Sequence, residues 1–200
     1  MDQGKETTKE KIMRVAARMF SEKGYDKVTT REIAKAIGIN SASIYHHFSS
    51  KDDILKSLYR FYAEERIRLY PDLDKLLRLA ETETPQEVLM ETEYHFPEET
   101  RGLLDQILST AAREINADPE SEQFIRDNIF DSVAGIMRPL LKRLIELGKI
   151  KPFDLDNFVQ VLSFYCFGAA ALNHTAFKQA VTEYQAGMSF LFSVIIPIED

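Results

Sequence analysis

Residues 28–55 read VTTREIAKAIGINSASIYHHFSSKDDIL, and three helix starts are written into them. Thr29 and Glu32 have the spacing of a capping box, in which each side chain bonds the other residue's backbone N–H. The helix they open turns Ile33, Ala34 and Ile37 inward, and Gly38 is placed to stop it. Asn40 caps a third helix over 41–48 with Ile44 and Phe48 facing inward; Ser50 with Asp53 opens a fourth that runs towards Tyr70 and Pro71. Gly38, Ile39 and Asn40 form a connection short enough to set the second and third helices at the steep angle of a helix-turn-helix, so the third helix should protrude.

A protruding helix of this size fits the major groove of a DNA duplex, with the start of the preceding helix near the phosphate backbone. Small Ser41, Ala42 and Ser43 at its leading end permit close approach to base edges, and the hydroxyls donate or accept. Tyr45 and His46 reach phosphates, as do Thr30 and Arg31 at the start of the second helix, and Lys51 adds a cation beside free backbone N–H groups. Charge supports this orientation. Residues 1–56 carry 11 Lys+Arg against 8 Asp+Glu, a net of +3, whereas residues 57–200 carry 14 against 24, a net of −10. A polyanion would be met by the basic end.

Upstream, Thr7 and Glu10 form another capping box, followed by Ile12, Val15, Ala16, Met19 and Phe20 on one stripe and Gly24 at the end. Downstream, Pro71, Pro85, Pro97, Pro119 and Pro152 divide helical patterns at about 73–81, 86–95, 98–116, 120–148, 155–176 and 180–196. Pro139 falls inside the fourth of these and should kink or divide it. Period-2 alternation is nearly absent, so the fold is expected to be all-α. The single cysteine, Cys166, excludes an intramolecular disulfide and a Cys-based zinc site within one chain. The polar N-terminus lacks the apolar stretch of a secretory signal, and the apolar run over 161–172 is too short to span a bilayer. Both point to a cytoplasmic protein without membrane contact.

Taken with the preceding AARMFSEKGYD, this stretch resembles the DNA-binding signature of the TetR family of transcriptional regulators. The likeness rests on Phe20, Gly24 and Tyr25, on Thr30, Ile33 and Ala34, on Tyr45 and Phe48, and on Ser50 and Lys51; it covers about 50 of the 200 residues. Ala42 stands where the family often has glycine. The resemblance implies a three-helix DNA-binding domain over 1–50 and a helical ligand-binding and dimerisation domain over 51–200. Thr30, Tyr45 and Lys51 would contact phosphate, and residues 41–46 would contact bases. It further implies a homodimeric repressor on a palindromic operator, released by a small-molecule effector. Phe158, Leu162, Tyr165, Ala169, Leu172, Met188, Leu191, Phe192 and Ile195, on the two most apolar helices, are the expected dimer interface. Tyr62, Met90, Tyr94, Arg113, Phe130, Met137, Phe164 and Asn173 are candidates for the effector cavity.

Enzyme signatures are missing: no G-x-S-x-G, Walker A, G-x-G-x-x-G or H-E-x-x-H string occurs. His46 and His47 are adjacent on a helix and diverge by about 100°, so they do not converge on one metal. No cofactor, metal site or catalytic residue is expected. The competing class is a helical ligand-binding or scaffold protein that does not bind DNA.

Overall fold

In a computed structural model, residues 6–69, 72–92, 98–172 and 184–196 are described, and among them every regular element is helical. The order is α1 (Thr8–Lys23), α2 (Thr30–Ile37), α3 (Ser41–Tyr45), α4 (Lys51–Leu69), α5 (Leu73–Thr82) and α6 (Pro85–Met90). Then follow α7 (Glu98–Glu114), α8 (Pro119–Ile125), a π turn (Arg126–Phe130), α9 (Asp131–Glu146), α10 (Leu155–Leu172) and α11 (Tyr184–Ile195).

The helix starts follow the side-chain chemistry. Thr7 with Glu10, Thr29 with Glu32 and Thr84 with Glu87 all close reciprocal capping boxes. At α4 the arrangement is offset by one residue: Ser50 Oγ accepts from the Asp53 N–H, but the Asp53 carboxylate returns to the N–H of Ser49 at 2.7 Å. Gly38 ends α2 in the left-handed region (φ 75°), where a side chain would be strained.

Two apolar clusters organise the chain. In the first, Ile12, Ala16 and Phe20 of α1, Ile33 and Ala34 of α2, Ile44 of α3 and Ile54 and Leu58 of α4 pack with Leu104, Ile107 and Ala111 of α7 and Phe124 and Ile125 of α8. The apolar core of the first fifty residues is therefore continuous with α4, α7 and α8. The second cluster joins Leu76 of α5, Val88 and Leu89 of α6, Met137, Leu140, Leu141 and Leu144 of α9, Val159 and Leu162 of α10, and Met188 and Phe192 of α11.

Three expectations change. The third helix stops at Tyr45 instead of Phe48, because the N–H groups of both His47 and Phe48 turn back to the Ile44 carbonyl, each at 2.9 Å; Phe48 is buried all the same. The helix expected over 86–95 ends at Met90, where the Thr92 hydroxyl donates to the Leu89 carbonyl and closes the last turn. The helix expected over 120–148 is interrupted, but not at Pro139, which lies inside an unbroken α9. Proline clashes with the carbonyl four residues earlier. Here that residue is the exposed Gly135, on the solvent side of the helix, where a carbonyl can tilt outward towards water. The irregularity falls instead at the π turn. There the side chain of buried Asn128 donates to the Phe124 carbonyl (2.9 Å) and accepts from Arg66 Nε of α4 (3.1 Å), while Arg66 Nη1 donates to Ser132 Oγ (2.6 Å).

Candidate nucleic-acid interface

The helix-turn-helix is held from beneath by Ile44 (0% exposed) and Phe48, which seat α3 on the first core and leave its other face outward. Ala42, Tyr45, His46 and His47 are exposed, Tyr45 to 56%, and Ser41 and Ser43 are half-buried at the leading end. Asn40 Oδ1 accepts from the Ala42 N–H at 3.0 Å, which fixes how the helix begins. At the start of α2, Arg31 is exposed and Thr30 half-buried, with Thr30 Oγ1 3.2 Å from the Tyr45 hydroxyl. The structure thus sets Thr30 and Arg31 of α2 beside the outward Ser41, Ala42, Ser43, Tyr45 and His46, with the Thr30–Tyr45 contact joining the two groups. The hydroxyl, imidazole and guanidinium groups among them are of the kinds that bond phosphate and base edges, and the Ala42 methyl permits close approach.

Lys51 is placed differently from a free surface cation. Its ammonium donates to the Tyr25 carbonyl at 2.9 Å and lies 4.0 Å from the centre of the Tyr25 ring, bracing the start of α4 against the α1–α2 turn. An ammonium carries three donors, so this bond and a phosphate bond are compatible. One feature escapes the sequence reading. Lys9, at the start of α1, sits 5.7 Å from the Phe48 ring, adding a cation near the end of α3. His47 is exposed beside His46, as the outward face read from the sequence has it. Nothing in the local spacing marks Lys9.

The electrostatics of this end come from its capping groups. Hydrogen bonds from the Thr29 side chain and backbone hold the Glu32 carboxyl below the usual range, and bonds from the Ser49 N–H and hydroxyl do the same for Asp53. Burial, reinforced by the carboxylates of Asp52, Asp118 and Asp26, pushes the Tyr25 phenol up to about 12. Tyr25 is therefore neutral where it meets Lys51.

The candidate effector residues do not converge. Tyr62 is buried edge-on to Phe124 in the first core, with ring centres 5.2 Å apart, whereas Met137 is filled into the second core. Phe130, at the end of the π turn, is half-buried against Phe164, and Phe164 itself is 55% exposed. Met90 is exposed on α6, and Arg113 is exposed on α7 with its guanidinium beside Gly24. Tyr94 and Asn173 lie outside the described residues. Helical spacing alone does not separate a cavity wall from a packed core, and these side chains went to both cores and to the surface.

The expected dimer interface needs a similar correction. Leu162, Met188, Phe192 and Ile195 are buried within the second core of a single protomer and have little surface left to offer. Phe158, Tyr165, Ala169 and Leu191 are half-buried, and the Leu172 side chain lies outside the described set. The exposed apolar residues on the same helices are Val161 and Phe164 of α10 and Phe190 and Val194 of α11. Spacings of three on α10 and four on α11 mark this stripe in the sequence; the expected set followed the neighbouring stripe, the one that faces the protomer's own core. A groove of about 510 Å³ lies beside it, lined among others by Phe153, Phe158, Val161, Val194 and Ile195. Among the described residues no helix is long and apolar enough to cross a membrane, and no cluster of metal-binding side chains occurs.

Residues 12–58 match the family model described as bacterial regulatory proteins, tetR family. The HTH-type transcriptional repressor KstR2 of Rhodococcus jostii (strain RHA1) is 34% identical over 70 residues, which make up 35% of this chain and 34% of that protein. The chain thus spans about a third of that relative's length. Over nearly the whole chain the fold is that of PfmR, a TetR family regulator from Thermus thermophilus, with a TM-score of 0.65, 22% identity and coverage of 91% of this chain and 97% of that one. A transcriptional regulator from Saccharomonospora viridis, solved in complex with choline, superposes with a TM-score of 0.64 and 19% identity, covering 95% and 98%.

Proposed function

We propose that the chain, whose residues 12–58 match the tetR family model and whose fold is shared with a TetR family regulator, acts as a homodimeric repressor that grips a palindromic operator and lets go when a small molecule binds. The observation that carries this reading is the outward face of α3 and the turn after it: Ile44 and Phe48 take up the inward positions, leaving Ser41, Ala42, Ser43, Tyr45 and His46 towards solvent. Two copies of that helix, about 34 Å apart on one face of a duplex, would enter successive major grooves. Thr30, Arg31, Tyr45 and Lys51 would hold phosphates, and Ser41, Ala42, Ser43 and His46 would read bases.

The pairing surface in this reading is the exposed stripe Val161, Phe164, Phe190 and Val194, which a second copy would cover by packing its own α10 and α11 across a two-fold axis. Repression and small-molecule release are favoured by the relatives: KstR2 is a repressor, and the S. viridis protein was solved with choline. The functional division is then 1–50 for DNA and 51–200 for dimer and effector, with cytoplasmic DNA as the target. Release would be a population shift: the effector binds better to a conformation whose recognition helices are wrongly spaced. α4 connects the two functions, starting beside the phosphate contacts and ending against the π turn.

The test is electrophoretic mobility shift with duplexes from the chain's own upstream region. Binding that favours one palindrome and weakens steeply with salt is the expected result. A purified dimer with no preference among duplexes would return the chain to the class of helical ligand-binding or scaffold proteins.

A further inference from the structure

The helix-turn-helix is tied to the rest of the molecule at a residue that plays no direct part in DNA contact. Gly24 ends α1 with φ +92°, and the chain turns there beneath the end of α7, where Arg113 and Glu114 lie close to the Gly24 backbone. The next residue, Tyr25, is gripped on both of its backbone polar groups. Its N–H donates to Glu114 Oε1 at 3.2 Å; its carbonyl accepts from Val28 N–H at 3.2 Å and from Lys51 Nζ at 2.9 Å. Its ring stands edge-on to Phe20 at 5.2 Å. One residue of the turn therefore joins the body at α7, the recognition unit at Val28, and the start of α4.

Most of the contact between α1 and α7 is apolar, through residues such as Ile107 and Ala111, and apolar packing constrains direction only weakly. A hydrogen bond is directional. Nearby polar links bind the same corner of the body to α4: Lys56 pairs with Glu120 of α8, and the Tyr59 hydroxyl meets Ser121 Oγ at 2.7 Å. These links fix α4. The Glu114 bond acts on the turn that leads into α2, and hence on the orientation of α2 and α3.

We propose that Glu114 is a positioning residue for DNA binding: by holding the Tyr25 N–H it sets the angle at which α3 is presented relative to the body that carries the second copy. This rests on the DNA-binding reading above and adds how the spacing of the two recognition helices is enforced. It follows that losing the bond should relax the spacing the dimer demands, not the number of phosphates it meets.

The experiment uses the full chain and a duplex enriched from a randomised pool by the wild-type protein, together with versions carrying one or two base pairs added or removed between half-sites. Glu114→Ala is expected to bind the enriched duplex about tenfold more weakly, and to lose a similar factor of its preference for that spacing, with the salt slope unchanged. Glu114→Gln keeps an acceptor oxygen and should behave as wild type. Glu114→Asp keeps the charge but falls short of the N–H and should behave as the alanine variant. The proposal is overturned if Glu114→Ala retains the wild-type spacing preference, even with affinity lowered equally on every duplex, or if Glu114→Gln is as impaired as Glu114→Ala. A wild-type protein that enriches no duplex overturns the DNA-binding reading and this one with it, whereas the other outcomes strike this one alone.

Discussion

Replacing Lys51 by alanine separates two jobs that one ammonium can perform. Within the protomer it donates a charge-assisted hydrogen bond to the Tyr25 carbonyl and rests on the Tyr25 ring. A hydrogen bond to a charged group contributes about 1.5–3 kcal/mol and an exposed cation–π contact about 0.5–1 kcal/mol. Lys51 is half-buried, so water competes for the ammonium, and the low ends of both ranges apply, giving about 2 kcal/mol in all. For a chain of this size that corresponds to a fall in Tm of about 4–8 °C. If the same ammonium also meets a phosphate, the slope of log K against log salt should become shallower by about 0.9 for each phosphate no longer neutralised. Differential scanning calorimetry and binding titrations over a range of salt measure the two independently. A lowered Tm with an unchanged slope would leave Lys51 as a strut only. A Tm within about 1 °C of wild type would refute the energetic argument for the brace.

Other outcomes follow from the same structure. Phe190→Glu places a carboxylate on the exposed apolar stripe without touching the core; sedimentation velocity should show dimer dissociation strengthened by roughly a hundredfold, about 3 kcal/mol, and an unchanged sedimentation profile would place the pairing surface elsewhere. Asn128→Leu leaves Arg66 Nε and the Phe124 carbonyl without this partner inside the helical body, and should cost about 2 kcal/mol or more in urea unfolding; a neutral result would mean that water replaces the amide. The Glu10, Glu32, Asp53 and Glu87 carboxyls all lie below the ordinary range because of bonds from Thr7, Thr29, Ser49 and Thr84. A depressed folded pKa supplies stability that is full above the unfolded value and is lost as pH falls through the folded one, so Glu32→Ala should show a shallower loss of stability below about pH 4.5 than wild type. The phenol of Tyr25, raised to about 12, has the opposite sense: its contribution is complete below about pH 10 and disappears as pH rises towards the folded value, so Tyr25→Phe should be less sensitive to alkali.

The parts of the fold that sequence specified were those set by short-range chemistry. Thr29 with Glu32, Gly38 and Asn40 lie within a dozen residues of one another and determine where α2 ends and α3 begins, so the geometry of the outward face could be read directly. Tertiary competition decided the rest. Leu162 and Val161 are neighbours of similar hydrophobicity, yet one fills the second core and the other faces outward, because the phase of α10 depends on where α9 and α11 lie. Tyr62 and Met137 have the character of cavity residues but serve different cores. Glu114 meets Tyr25 across 89 positions of chain, and no local pattern announces such a meeting.

The π turn at 126–130 also bears on how this chain should be lined up with its relatives. A π turn accommodates one residue more than the α-helical ladder around it, and such an insertion turns everything beyond it by about a hundred degrees unless the wider loop absorbs the step. Between Ile125 and Asp131 the wider loop does absorb it, which keeps Val133, Met137, Leu140 and Leu144 aimed at the second core. Relatives with a straight helix here should therefore align with a one-residue gap in the middle of a helix, where gaps are ordinarily refused. Excising one residue at this point should leave the inward face of α9 as it is, while the same excision inside α9 would swing its apolar side into water.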